Sequence, residues 1–261
     1  MTKVGLLGSG RLAEVIAGAL CAGKVPGCEL VGILGRSEER AAPLAEKYGC
    51  NACGNAASLL ALKPDYLIEA ATAQALKDHA LDFLSAGCHV ICLSAGAFAD
   101  QDFYDQAEKT AVEHNSKVYL APGVIGAFDI AFTLALMGEL KGTLIKYKYP
   151  NDSGKCPAAL TELPDRFDGT ALEGFALSPR HLNIAISAAL ACGDLQETRM
   201  KIEPILEEPA PSFGLDLEGE FASATLRVRQ GGFGGKPKGP VLAAWSAVAL
   251  LRRLTSPITF A

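Results

Sequence analysis

Val4-Gly5-Leu6-Leu7-Gly8-Ser9-Gly10-Arg11-Leu12-Ala13 constrains this chain more than any other stretch. The first four residues are apolar or small and read as a buried strand. A Gly-Ser-Gly turn follows, and a helix runs from about Arg11 through Leu20. This is G-x-G-x-x-G/A between a strand and a helix, the setting in which the pattern carries meaning. Gly8 lets the backbone turn tightly and Gly10 leaves room for a pyrophosphate. Ala13 stands where a third glycine often sits and still permits close helix–strand packing. The amides and the positive dipole end at the helix start then hold phosphates. A tight turn that binds nothing is the bland alternative, and the βαβ succession that follows weighs against it.

Glu29–Leu34 is a run of apolar residues expected of a strand buried on both faces. It ends at Gly35-Arg36-Ser37. An NAD-selective site carries Asp or Glu here, about 20 residues beyond the glycine turn, for the ribose 2′-hydroxyl. Arg36 and Ser37 instead suit a 2′-phosphate. The pair favours NADP(H) over NAD(H), with an Arg36 that stacks on adenine or faces solvent as the alternative. Ser37 is a fitting N-cap for a helix to Tyr48, stopped by Gly49. A short helical piece over Ser58–Leu62 comes next. Further strands are expected at Asp65–Ala70, His89–Leu93 and Lys117–Leu120, with helices at Gln74–Ser85 and Asp102–His114 between them. Strand ends line the cleft of such a sheet, so Ala71, Ser94 and Ala97 are expected near a cofactor. His79 reads as a surface residue. The alternation predicts an α/β fold, a doubly wound parallel Rossmann sheet over residues 1–121.

The pattern then changes. Ala121–Asp129 is a glycine-rich passage into an apolar helix ending near Leu140, and Thr143–Tyr149 alternates as a strand with one solvated face. Asn151–Gly169, rich in Pro, Asp and Gly, reads as a loop. Pro179 in Ser178-Pro179-Arg180 opens a helix over His181–Ala191. Gln196–Leu206 and Glu218–Arg229 read as strands, Gly231–Gly239 as a loop with Lys236 and Lys238, and Val241–Leu254 as a last apolar helix after Pro240. Residues 122–239 are thus expected to form an α+β domain on an open mixed or antiparallel sheet. The helix in 240–261 is expected to return to the nucleotide domain.

At 261 residues, 49% apolar and 20% charged, the chain can bury a real core. A net charge of −5 gives no basic face for nucleic acid. No apolar run is long enough for a membrane span, and Met1-Thr2-Lys3 leads straight into the first strand without room for a signal peptide, so a cytoplasmic protein is expected. Cys50-Asn51-Ala52-Cys53 is one C-x-x-C among eight cysteines. No second pair or close histidines complete a metal site, so reduced cysteines and no metal are expected.

Four passages together resemble the L-aspartate dehydrogenase family. They are Gly8–Ala13, Ser94-Ala95-Gly96-Ala97-Phe98-Ala99-Asp100, Gly123-Val124-Ile125-Gly126-Ala127-Phe128-Asp129 and Pro179-Arg180-His181-Leu182-Asn183. The last two are the most particular. The resemblance implies an NAD(P)-dependent dehydrogenase with a Rossmann domain and a C-terminal α+β domain, working on a small-molecule substrate as a homodimer. It places Gly8, Gly10, Arg11 and Leu12 at the cofactor, and Val124 and Asn183 at its nicotinamide end. The family more often has alanine where Val124 stands, but a backbone contact survives that change.

The resemblance also implies an Asn-x-His after a Pro-Ala pair, its histidine serving as acid–base residue. Here Pro209-Ala210 is followed by Pro211-Ser212-Phe213-Gly214-Leu215-Asp216, which sets Gly214 against the asparagine and Asp216 against the histidine. No histidine follows His181. Oxidative deamination needs a group that moves protons near neutral pH, where an imidazole titrates at about 6.5. An aspartate starts near about 3.9 and needs burial or negative neighbours to rise. Asp216 therefore stands equally as a displaced base, a ligand for the substrate amine or a bystander. His181 is the other candidate for the missing imidazole, with a structural role as its alternative. Arg180 and Lys238 are candidates for a substrate carboxylate, and Asp129 for orienting the Gly126 loop. The overall reading is an oxidoreductase of CH–NH2 groups in small amino acids. Its rivals are an imine or oxo-acid reductase of another substrate and a silent NADP-binding sensor.

Overall fold

The computed structural model describes residues 1–207, 210–230 and 241–259. In chain order the elements are β1 (Thr2–Leu7), α1 (Arg11–Cys21), β2 (Cys28–Leu34), α2 (Glu38–Tyr48), β3 (Asn51–Cys53), α3 (Ala56–Leu60), β4 (Tyr66–Glu69), α4 (Ala73–Ser85), β5 (His89–Cys92), α5 (Gln101–Glu113) and β6 (Val118–Leu120). There follow α6 (Phe128–Met137), β7 (Leu140–Lys148), β8 (Phe167–Thr170), α7 (Ala171–Leu177), α8 (Asn183–Cys192), β9 (Arg199–Pro204), β10 (Phe213–Gly219), β11 (Ser223–Val228) and α9 (Val241–Thr255). Two compact units result: Met1–Gly123 joined by α9, and the residues from Val124 up to the approach to α9.

In the first unit six strands lie in the order β3-β2-β1-β4-β5-β6, with every pair parallel. The chain builds outward from β1 in one direction and then returns to its other side with β4. This leaves a switch point beside β1, where open α/β sheets bind ligands at the carboxyl ends of their strands. Helices on the sheet bury Val4, Leu6, Ile16, Ile33 and Ile68 in one cluster. Ala244, Ala247, Val248 and Leu251 of α9 join that cluster, and the Ser246 hydroxyl accepts from the Gly123 amide at 3.0 Å. Cys50-Asn51-Ala52-Cys53 lies at an edge of this sheet, where Asn51–Cys53 is a three-residue strand that sequence periodicity is too short to announce.

The second unit is a five-stranded mixed sheet in the order β11-β10-β7-β9-β8. β9 runs parallel to β7, because the chain crosses between them through α7 and α8. The remaining pairs are antiparallel. Leu144, Phe213, Leu215, Leu217, Met200 and Ile202 pack with α6 and α8 on one face. The opposite face carries Asp168, Arg199, Lys201, Asp216 and Arg227, joined in ion pairs.

Three expectations need correction here. The segment read as a loop over Asn151–Gly169 contains most of β8, and α7 follows it unforeseen. A capping box announces α7: the Thr170 hydroxyl accepts from the Glu173 amide while the Glu173 carboxylate accepts from the Thr170 amide. The stretch Glu218–Arg229 is not one strand but the end of β10, a turn and β11. The helix expected from His181 begins at Asn183, with Pro179-Arg180-His181 in the turn before it.

Candidate active site

Within the first unit a cleft of about 740 Å³ opens at the carboxyl ends of β1, β2 and β4. Gly8, Ser9 and Gly10 form its floor, with Arg36 and Arg40 on one side and Ala71, Gln74, Asp78 and His79 on another. Gly8 has φ +118, and a Cβ there would lie 2.6 Å from the Ala70 carbonyl oxygen, so only glycine closes this turn. Gly10 is the N-cap of α1 and offers no side chain to its amides, while the space where its Cβ would point is open. The first amides of a helix have no partner within it. The missing Cβ atoms at Gly8 and Gly10 and an uncapped helix start together fit a dinucleotide pyrophosphate.

Behind the cleft Glu69 is wholly buried at the end of β4. Its carboxylate accepts from the amides of Ala71 (2.7 Å), Leu93 (3.1 Å) and Ser94 (2.9 Å) and from the Ser94 hydroxyl (2.8 Å). Burial pushes its pKa up and these donors pull it back, with burial the stronger. Glu69 ties the turn after β4 to the turn after β5, a role its place in an apolar strand did not disclose. Ser94 and Ala97, expected near a cofactor, stand in and after the turn that Glu69 holds. The Ser94 hydroxyl is committed to Glu69, Ala97 is wholly buried in the 3-10 turn Ala95–Ala99, and neither lines the cleft. Ala71 does line it, and His79, read as a surface residue, stands at its edge. Arg11 is exposed in the first turn of α1 and Leu12 is half-buried beside it. Arg40, which the sequence reading did not single out, is the third residue of α2, the helix that starts just after Gly35-Arg36-Ser37.

In the second unit Val124 packs against the apolar cluster and Asn183 starts α8. Asp216, on β10, sits on the charged face, opposite the side of Phe213, Leu215 and Leu217. Arg227 reaches it with both guanidinium nitrogens at 2.6 and 2.9 Å, and the Thr225 hydroxyl donates at 3.1 Å. The guanidinium holds the Asp216 carboxyl below its ordinary range, which weighs against the base among the three roles the sequence left open.

His181 precedes α8. Its Nδ1 lies 2.9 Å from the Ser178 hydroxyl and 3.2 Å from Glu162, and that hydroxyl donates to Glu162 at 2.5 Å. The hydrogen bonds from Ser178 and then His181 hold the Glu162 carboxyl down. A relay triad needs the acid and the hydroxyl on opposite ring nitrogens. Here both meet the same one, so Ser178, His181 and Glu162 are not such a relay. Arg180 is exposed, Asp129 lies exposed in the first turn of α6, and Lys236 and Lys238 fall outside the described residues. Among the described residues no cluster of His, Cys, Asp or Glu could hold a metal ion, and no helix is long and apolar enough to cross a membrane.

Comparison with known proteins matches this two-part architecture. The family model for the NAD binding domain of homoserine dehydrogenase matches residues 8–121, and that for the C-terminal domain of aspartate dehydrogenase matches residues 137–254. The L-aspartate dehydrogenase of Methanosarcina acetivorans is 30% identical over 281 residues, covering 99% of this chain and 98% of that protein. The enzyme of the same name from Methanococcus maripaludis is 25% identical over 266 residues, with 99% and 98% covered. The crystal structure of aspartate dehydrogenase from Thermotoga maritima superposes with a TM-score of 0.70 over 100% of both chains at 17% identity, a likeness of fold. With a dinucleotide cleft in its first unit, the matched C-terminal domain in its second and relatives aligned over their whole length, the chain belongs to the L-aspartate dehydrogenase family.

Proposed function

We propose that the protein is an NAD(P)-dependent dehydrogenase of the CH–NH2 group of L-aspartate or a related small amino acid. It would give the 2-oxo acid and ammonia, or run in reverse. The match of residues 137–254 to an aspartate dehydrogenase C-terminal domain carries this reading, because the nucleotide cleft alone is common to many dehydrogenases. When bound, the nicotinamide supplies the carbon that accepts or gives the hydride. The chain's residues position and protect. Gly8, Gly10 and the amides of Arg11 and Leu12 hold the pyrophosphate, and Ala71 borders it. Val124 and Asn183 are the second unit's residues for the nicotinamide end. Ser94 supports the cleft through Glu69, and the Ala97 amide donates to the Ser94 carbonyl.

NADP(H) is the favoured cofactor, because Arg36 and Arg40 both line the cleft beyond β2, where an acid would select NAD(H). A homodimer is favoured by the exposed charged sheet face of the second unit, and light scattering of the purified protein tests it. A second reading is a reductase of another imine or oxo acid, favoured by the lack of any histidine after His181. The deciding experiment offers oxaloacetate and other 2-oxo acids, each with ammonia, to the protein with NADPH or NADH. Ammonia-dependent oxidation with oxaloacetate supports the first reading. Turnover of a different acid alone supports the second. Tight cofactor binding with no turnover of any acid leaves the silent sensor.

A further inference from the structure

Among the described residues Glu69 is the one charged side chain buried in the first unit. Its Oε1 accepts from the Ala71 amide and the Ser94 hydroxyl, and its Oε2 from the amides of Leu93 and Ser94. Every one of these donors is neutral, and no Lys or Arg among the described residues offsets the charge. Backbone amides can only donate, so three of the four bonds need acceptor oxygens and favour the ionised carboxylate. Cys92, wholly buried and in register with Glu69 on the next strand, is held as a neutral thiol by burial and by that charge. The fold thus keeps one negative charge in its interior, where water does not screen it.

The place of this charge is specific. Glu69 is the last residue of β4 and pairs with Cys92, the last of β5. The carboxylate therefore bridges the carboxyl ends of both strands, and one of its donors, Ala71, lines the cleft. An open doubly wound sheet takes a dinucleotide across its switch point, with one mononucleotide on each half. Arg36 and Arg40 mark the β2 side for the adenosine, which leaves the half built on β4 and β5 for the nicotinamide. The charged groups that line the cleft, Arg36, Arg40 and Asp78, are exposed and screened by water, whereas Glu69 is not. A pyrophosphate is anionic in either redox form of the cofactor and gains nothing from a carboxylate behind the cleft wall. The nicotinamide ring differs, being cationic when oxidised and neutral when reduced.

We propose that the Glu69 carboxylate favours the oxidised, cationic nicotinamide over the reduced, neutral one, and so sets the redox preference of the bound cofactor. This role rests on the NAD(P)-dependent reading above. Glu69 holds a charge opposite to the one that loss of hydride leaves on the ring. A tighter hold on the oxidised form makes the bound reduced cofactor the stronger hydride donor, so the fixed charge favours reduction of an imine over the reverse. Unit charges about 10 Å apart, at an effective dielectric of about 20, interact strongly enough to change an equilibrium about tenfold.

The test compares the full-length wild type, Glu69→Gln and Ser94→Ala by calorimetric titration with oxidised and reduced NADP, or NAD if that binds more tightly, below the unfolding transition of each protein. The two redox forms share adenosine, phosphates and ribose, so a loosened cleft weakens both alike. Glu69→Gln is expected to weaken the oxidised form about tenfold more than the reduced form. Ser94→Ala breaks one of the same hydrogen bonds but keeps the charge, and is expected to leave the ratio of the two affinities as in wild type. A ratio unmoved by Glu69→Gln, or moved as far by Ser94→Ala, overturns the role of Glu69 alone. Because Glu69→Gln weakens the first unit, the charge is also read in the wild type by infrared spectroscopy at a pH above neutral. Glu69 is the one buried carboxyl among the described residues, and exposed carboxyls are ionised there. No carbonyl stretch of a neutral carboxylic acid is expected, and such a band overturns the proposal. A wild type that binds neither redox form of either dinucleotide overturns the functional reading, and this role with it.

Discussion

Lys146 on β7 is buried, its Nζ 4.1 Å from the centre of the Phe213 ring. Lys146→Met tests what that burial does to stability. In the folded protein Lys146 titrates at about 8, against an ordinary value of 10.5. Between those values the unfolded chain binds a proton that the folded chain has released. Stability contributed by this group therefore rises with pH at about 1.4 kcal/mol per pH unit. Below about 8 both states are protonated and the dependence disappears. The full span amounts to about 3 kcal/mol, and by pH ~9.5 the gain is about 2 kcal/mol. Buried thiols oppose it, since Cys50 is pushed up to about 11 and Cys88 to about 12. They are common to wild type and variant and cancel in the difference. Urea unfolding followed by circular dichroism under reducing conditions, from about pH 7 to ~9.5, measures that difference. Trp245, the single tryptophan, lies in α9 of the first unit and gives a control transition. Wild type is expected to gain on Lys146→Met as pH rises past about 8. A flat difference, or a wild type that loses ground, would refute the argument.

Other consequences follow from single contacts. Arg36→Ala and Arg40→Ala are each expected to weaken NADP(H) by about tenfold or more, the worth of one charge-assisted bond, and NAD(H) much less; equal losses in calorimetric titration would remove the 2′-phosphate role. Gly8→Ala is expected to abolish cofactor binding, because the new methyl meets the Ala70 carbonyl; retained affinity would contradict the tight turn. Glu69→Gln is expected to destabilise the first unit by about 1–3 kcal/mol, since an amide cannot accept from all four donors, and an unchanged Trp245 transition would refute that. Asp216→Asn is expected to leave kcat nearly intact and to lower stability by less than about 1 kcal/mol, as for other half-exposed pairs; a large fall in kcat would restore Asp216 to the mechanism.

The first unit was largely legible because its signals are local. Apolar runs such as Ile33-Leu34 and Val90-Ile91 mark strands buried on both faces, and Gly8-Ser9-Gly10 marks the turn that fixes the cleft. The second unit was less so. β10 follows a proline-rich passage, and its Phe213, Leu215 and Leu217 alternate with Gly214 and Asp216, a pattern too brief to set register. A one-residue change of register moves a side chain to the other face of a sheet. Asp216 could not be assigned to a face until its pairing with Thr143 and Thr225 was known. Glu69 and Lys146 were hidden for a related reason. Their burial comes from elements far along the chain, and neither strand announces a charged residue in its interior.

Hydride transfer from an amino acid's Cα is the central claim, and isotope tracing reads it directly. The protein would be incubated with L-aspartate deuterated at Cα and oxidised NADP, and the reduced cofactor examined by mass spectrometry. Deuterium on the nicotinamide, with one ammonia released for each cofactor reduced, is the result expected. Reduced cofactor without deuterium, or deuterated cofactor without ammonia, would contradict the account.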